Sequence, residues 1–361
     1  MKPILLLEIV LALAANAANY SARQTTREGV DVVVLADSAR HTEVTVLPSI
    51  GNMAYEMKVN GKDVLRAPTA NLAEFKAKPG IAGIPLLWPW ANRIDQTSYY
   101  VNGKLYTFNL ELGNVHQDAN KKPIHGILST SSAWKLVSCK ADAQAAEVTS
   151  RLEYWKYPDL MEQFPFAHTI ELTYRLKEGV LQVETVLHNL AAEPMPVAIG
   201  FHSFYKVNDA PSDQWKIHLG AREQLVLSPE KIPTGERTSV QAKYPDPLPL
   251  KDVSFDDVFT NMMRDSNGLG EFWIQGKTEK VSVIYGPKYD VAVVVAGPGR
   301  DYVVMEAMSA WMVCPTFSSR LIRLIRPSMM SPSLASPTRS GGRRSWRSSC
   351  PRTERRPAKR N

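Results

Sequence analysis

The chain has 361 residues, 44% hydrophobic and 22% charged, the balance of an ordinary globular protein of one large domain or two smaller ones. Its formal charge of +7 is uneven: residues 317–361 hold twelve Lys and Arg against one acidic residue, so everything before them is net acidic. That distribution does not fit a nucleic-acid binder, which spreads Lys and Arg over a folded face. Three scattered cysteines (Cys139, Cys314, Cys350) without a CxxC indicate neither a disulfide framework nor a zinc site.

In chain order, residues 1–18 come first. A short positive start (Lys2) leads into an apolar run that ends in small residues, with an Ala-x-Ala exit near Ala15-Asn16-Ala17. This reads as a secretory signal, placing the protein in the periplasm or outside the cell, or in the cytoplasm if the segment is not cleaved. The run is too short for a comfortable membrane span and contains Glu8, so no stable membrane insertion is expected. A buried N-terminal helix or strand is the alternative.

The body then shows short β-type runs separated by turn residues: 31–35, 43–47, 169–176, 180–187, 281–285, 291–296 and 302–306. Asn60-Gly61 and Asn102-Gly103 predict hairpins, because a type I′ turn needs positive φ at both central residues. No window sustains a 3.6-residue apolar period, so long helices are not expected. The expectation is an all-β, large antiparallel β-sandwich over residues 28–316, in one domain. Residues 317–361 are Ser, Arg and Pro with little period, which predicts a disordered basic tail or a frameshifted translation that has replaced the closing strands.

Several common chemistries are absent: there is no GxGxxG after a strand, no Walker loop, no HExxH and no GxSxG. What remains are polar residues set among apolar strands. In IPLLWPWANRI, Asn92 and Arg93 follow Trp88 and Trp90; the guanidinium fork suits vicinal hydroxyls, and the tryptophans suit the face of a sugar ring. A structural ion pair is the equal alternative for Arg93. His125 stands on a turn in PIHGI, and His202 leaves an apolar strand in AIGFHSFY; both suit proton transfer near neutral pH, although a lone histidine is more often structural. Asp256 in SFDDVF is either functional or a turn former. Glu306 in DYVVMEAM is either an exposed strand residue or a carboxylate whose pKa is raised by desolvation to that of a general base.

Taken together and in this order, N-R-I, then H-G, then H-S-F, then D-x-x-F and a strand ending in Glu, the chain resembles the aldose 1-epimerase (galactose mutarotase) family over about residues 30–308. The resemblance implies a β-supersandwich with a sugar-binding cleft on one sheet, interconverting the anomers of a free aldohexose. Carried over by position, Glu306 is the general base on the anomeric hydroxyl and His202 the general acid on the ring oxygen. Arg93, His125 and Asp256 bind the sugar, with Asn92 beside them. No metal or cofactor is implied, and the partner is a small monosaccharide; oligomeric state is not indicated. The W-P-W before Asn92 is similar to the hexose-6-phosphate epimerase branch of the superfamily, and Ala307 stands where the family usually has Pro. Three further readings compete: a glycoside hydrolase or lyase using Asp256 and Glu306, a non-catalytic carbohydrate-binding module, and, given the tail, a catalytically dead or truncated product.

Overall fold

The structure, a computed structural model, describes residues 19–251 and 253–311 and the backbone of 323–325. The signal-like segment 1–18 lies outside the described residues, as does the basic tail apart from those three.

Five strands open the fold as a meander: β1 (Tyr20–Arg27), β2 (Val30–Asp37), β3 (Thr42–Leu47), β4 (Met53–Val59) and β5 (Lys62–Asp63). The strand β1 thus precedes residue 28, from which the sequence reading counts the sandwich, and is paired along its length with β2. The polar edge strand β1 (YSARQTTR) carries no alternating apolar signal to announce it. The short β6 (Leu86–Leu87) and the hairpin β7 (Ser98–Val101) and β8 (Lys104–Thr107) follow. A second four-stranded meander comprises β9 (Lys135–Ala141), β10 (Ala146–Glu153), β11 (His168–Lys177) and β12 (Val180–Asn189). Next come β13 (Met195–Val197) and β14 (Gly200–Tyr205), then β15 (Lys216–His218), β16 (Ala221–Leu227), β17 (Pro233–Ser239), β18 (Leu248–Pro249), β19 (Phe255–Met262), β20 (Gly270–Gln275), β21 (Lys280–Tyr285), β22 (Val291–Ala296) and β23 (Val303–Met308). The last, β24 (Arg323–Ile325), pairs antiparallel with β13, so at least this part of the predicted tail is a strand.

Two sandwiches result. In the first, Val33, Leu35, Val44 and Val46 of the opening sheet share a core with Leu152, Ile170, Leu172 and Tyr174 of the second meander. In the other, a seven-stranded sheet of order β17-β16-β19-β22-β23-β14-β6 packs through Phe255, Phe259, Val294 and Met305 onto the sheet β18-β15-β20-β21, which supplies Ile217, Phe272 and Ile274. Burying each such side chain stabilises by about 1.5–3 kcal/mol. The longest described helices are six residues, Leu72–Ala77 and Pro158–Gln163, in keeping with the missing 3.6-residue period. Both Asn-Gly pairs turn hairpins with positive φ at each residue: 51° and 77° at Asn60-Gly61, 52° and 78° at Asn102-Gly103.

Candidate active site

The site is assembled on the outer face of the seven-stranded sheet. Registers align His202 on β14 with Glu306 on β23, then Val293 on β22, Val258 on β19 and Leu225 on β16. The row two residues away runs Phe204, Val304, Val295 and Asp256. Side chains two apart on a strand share a face, so both rows project together. Leu225, Val258, Val291, Val293 and Met308 form an apolar floor, with Trp311 packed among them. His202, Glu306 and Asp256 are the titratable interruptions in these two rows. His202 sits inside its strand rather than leaving it.

The His202 Nε2 lies 3.2 Å from Glu306 Oε1, with Glu306 2% and His202 8% exposed. Desolvation pushes the Glu306 carboxyl up to about 8; the charge of Asp256 adds to this, while Arg93 and the Asn92 amide oppose it. The same burial pulls the His202 imidazole down to about 4, against the opposing effects of its own backbone and Asp256. His125 lies well below the usual histidine range, first through burial and then because a charge on it would be repelled by Arg93 and by any charge on His202. Burial thus favours the neutral form of each residue of the pair. The alternatives in which Glu306 is an exposed strand residue and Asp256 a turn former do not hold: one is buried, and the other lies within β19.

The remaining residues come from two loops stitched together beside β14. Ala91 N donates to Ala198 O at 2.7 Å, His125 N to Asn92 O at 3.0 Å, Ile94 N to Pro123 O at 2.9 Å and Ile127 N to Trp88 O at 2.8 Å. Asn92, His125 and Gly126 all have positive φ (56°, 64° and 64°). Glycine is required at 126, because an added Cβ would lie 2.2 Å from Trp88 O. This turn sets the His125 ring edge-on to His202, centroids 5.0 Å apart.

Arg93 Nε donates to Asp118 Oδ2 at 2.7 Å, and its Nη1 donates to Asn92 Oδ1 at 3.1 Å. With its oxygen turned to Arg93, the Asn92 amide presents its nitrogen on the Glu306 side. Burial works to raise the Asp118 pKa, but the Arg93 hydrogen bond and the backbone N–H groups of Lys122 and Asn120 outweigh it and hold the carboxylate low. The ion-pair reading of Arg93 is therefore realised within the site itself. Asp118, in the polar turn DANKK, was not picked out from sequence; nothing local distinguishes it from a solvated loop acid. Asp256 Oδ2 faces Lys231 Nζ at 3.4 Å, and both side chains are about two-fifths exposed.

The tryptophans correct one expectation. Trp88 and Trp90 are fully buried: the Trp88 indole donates to His168 Nε2 at 2.9 Å, and Trp90 packs on Phe108 with centroids 4.7 Å apart. They anchor the loop from behind and offer no face to a sugar. A cavity of about 880 Å³ opens on the opposite side of the same strands, past Phe201, Ser203, Tyr205, Met305 and Ala307, away from the acid–base pair.

Residues 33–314 match the family described as aldose 1-epimerase, and the chain belongs to that family. Among solved structures it is similar to a galactose mutarotase-like protein from Clostridium acetobutylicum (20% identity, TM-score 0.75, 86% of this chain and 95% of that one). A galactose 1-epimerase from Lactobacillus acidophilus has 13% identity and a TM-score of 0.64 over 86% of this chain and 95% of that one. An aldose epimerase homologue from C. elegans has 16% identity and a TM-score of 0.59 over 80% and 93%. At these identities the structures establish a shared fold, that of the galactose mutarotase-like supersandwich.

Proposed function

We propose that the protein is an aldose 1-epimerase that interconverts the α and β anomers of a free aldohexose without a cofactor. The observation that carries this reading is the buried His202–Glu306 pair, 3.2 Å apart on an otherwise apolar sheet face. Opening a cyclic hemiacetal removes a proton from the anomeric hydroxyl and delivers one to the ring oxygen, two atoms bonded to the same carbon. The reactive tautomer carries the pair's proton on His202: the Glu306 carboxylate takes the first proton as the bond from C1 to the ring oxygen breaks, and the His202 imidazolium supplies the second. Rotation about the C1–C2 bond and closure with the roles reversed release the other anomer, and the proton count is unchanged. Arg93, His125, Asn92 and Asp256 surround the pair and hold ring hydroxyls.

The charges around the site favour a neutral sugar over a phosphorylated one. Arg93 is paired with Asp118, Lys231 with Asp256, and Lys122 with both Asp95 and Glu230. A phosphate would have to compete with a carboxylate for each of these cations. The hydrolase reading is weaker on geometry: Asp256 and Glu306 are separated by one intervening strand and offset by two residues, about 12 Å apart at the backbone, against about 5 Å between the carboxyls of a retaining glycosidase and about 6.5–9.5 Å in an inverting one.

Polarimetry on freshly dissolved α-D-glucose, α-D-galactose and glucose 6-phosphate tests the proposal. The free sugars are expected to relax faster to the same final rotation, with Glu306→Gln and His202→Ala slower by about 10²–10⁴-fold. Acceleration of the phosphosugar alone would move the assignment to a hexose-6-phosphate epimerase. Sugar binding without acceleration, unaffected by Glu306→Gln, would make the protein a binding module.

A further inference from the structure

We propose that His125, His202 and Glu306 also form a site for one divalent transition-metal ion, and that Zn²⁺ bound there shuts the enzyme off in competition with sugar. Binding at the trio stands on geometry alone; the inhibition rests on the epimerase reading. Each residue offers one ligand atom, and the three atoms lie within 4.8 Å of one another. A tetrahedral zinc ion with bonds of about 2.0–2.1 Å sets its ligand atoms about 3.4 Å apart. The His202 Nε2 to Glu306 Oε1 separation of 3.2 Å already meets that spacing, and a shift of about an ångström brings in His125.

Each of the three residues also has an unpartnered polar atom. His125 Nδ1, His202 Nδ1 and Glu306 Oε2 are buried with no hydrogen-bond partner among the described residues. Metal binding takes the unprotonated imidazoles and the ionised carboxylate, so it should release a proton. Two imidazoles and one carboxylate suit Zn²⁺, Co²⁺ or Cu²⁺, whereas Mg²⁺ and Ca²⁺ prefer an all-oxygen shell. His125 is partly exposed, which leaves a way in and a fourth position for water. An ion so placed engages the acid and the base together, so metal and substrate exclude each other. Cysteine spacing gives no hint of such a site, because its ligands are far apart in sequence and meet only through the pairing of β14 with β23 and the turn at His125.

Calorimetric titration of the full chain with Zn²⁺ and visible spectroscopy with Co²⁺ test the site directly. One ion per chain and a tetrahedral Co²⁺ band are expected. Both should weaken at least tenfold in His125→Asn and in Glu306→Gln and persist in His218→Ala, which alters a separate His218–Asp246 pair. In polarimetry, Zn²⁺ should inhibit, with relief by a chelator and by raised sugar concentration. Binding that survives both site variants while they remain folded by circular dichroism, or inhibition that sugar does not relieve, overturns the proposal. Co²⁺ binding at the trio in a protein with no mutarotase activity would sink the epimerase reading and leave the site. Full activity with no binding and no inhibition at millimolar Zn²⁺ would do the reverse.

Discussion

At the scale of single residues, Arg93 is held by Asp118 from one side and Asn92 from the other, so its fork is aimed before any ligand arrives. Asp118 is a positioning residue in this account: it faces Arg93 and the backbone of its own turn. Asp118→Asn keeps the shape and one acceptor oxygen but removes the charge. Loss of a charge-assisted hydrogen bond of about 1–2 kcal/mol predicts that KM rises about 5- to 30-fold while kcat changes little. A matched fall in kcat with unchanged KM in steady-state mutarotation would instead place Asp118 in the chemistry. Glu306 and His202 stand out in the sequence because ionisable groups inside apolar strands demand an explanation. Asp118 does not, since its role depends on a loop 25 residues away folding back to meet it.

At the scale of elements, the strands and hairpins were legible where short apolar runs and Asn-Gly turns mark them. The edge strand β1 was not, and Trp88 and Trp90 were read as a sugar platform when they are core. The difference lies in the partner: an aromatic beside a polar residue has the same local sequence whether its neighbour is solvent or His168. The turn Pro123–Gly126 shows what a short motif carries. Gly126→Ala must adopt φ near +64° and press a methyl group on the Trp88 backbone, which has no flexible end to move aside. A loss on the order of 3 kcal/mol is expected, with activity lost as His125 is displaced. Gly61→Ala, at φ +77° with nothing within 4 Å, should cost only about 1–2 kcal/mol and leave activity intact. Thermal melts of the two variants decide this, and equal losses would refute the close-approach account.

At the scale of the whole molecule, two sandwiches hold a sheet rigid enough to keep a carboxyl and an imidazole buried against each other, and that burial ties global stability to pH. Glu306 titrates near 8 in the fold and near 4.5 as a free side chain, so its contribution to stability is complete below about pH 4.5 and disappears as pH rises through about 8. His202 has the opposite sign: with its folded pKa near 4 against 6.5, its contribution is present above about pH 6.5 and is lost as pH falls through about 4. The two can be separated by working on the alkaline side, where the histidine is neutral in both states. Between pH 6.5 and 8 the wild type is expected to lose about 2 kcal/mol relative to Glu306→Gln, whose amide does not titrate. Denaturant unfolding of both proteins across that range measures the difference. The rate should fall along the same limb, because the proton whose loss costs stability is the one the pair passes to the sugar. Parallel stability curves for the two proteins would mean that Glu306 has the same charge in the folded and unfolded chain across this range, which would overturn its raised pKa and the stability limb argued from it.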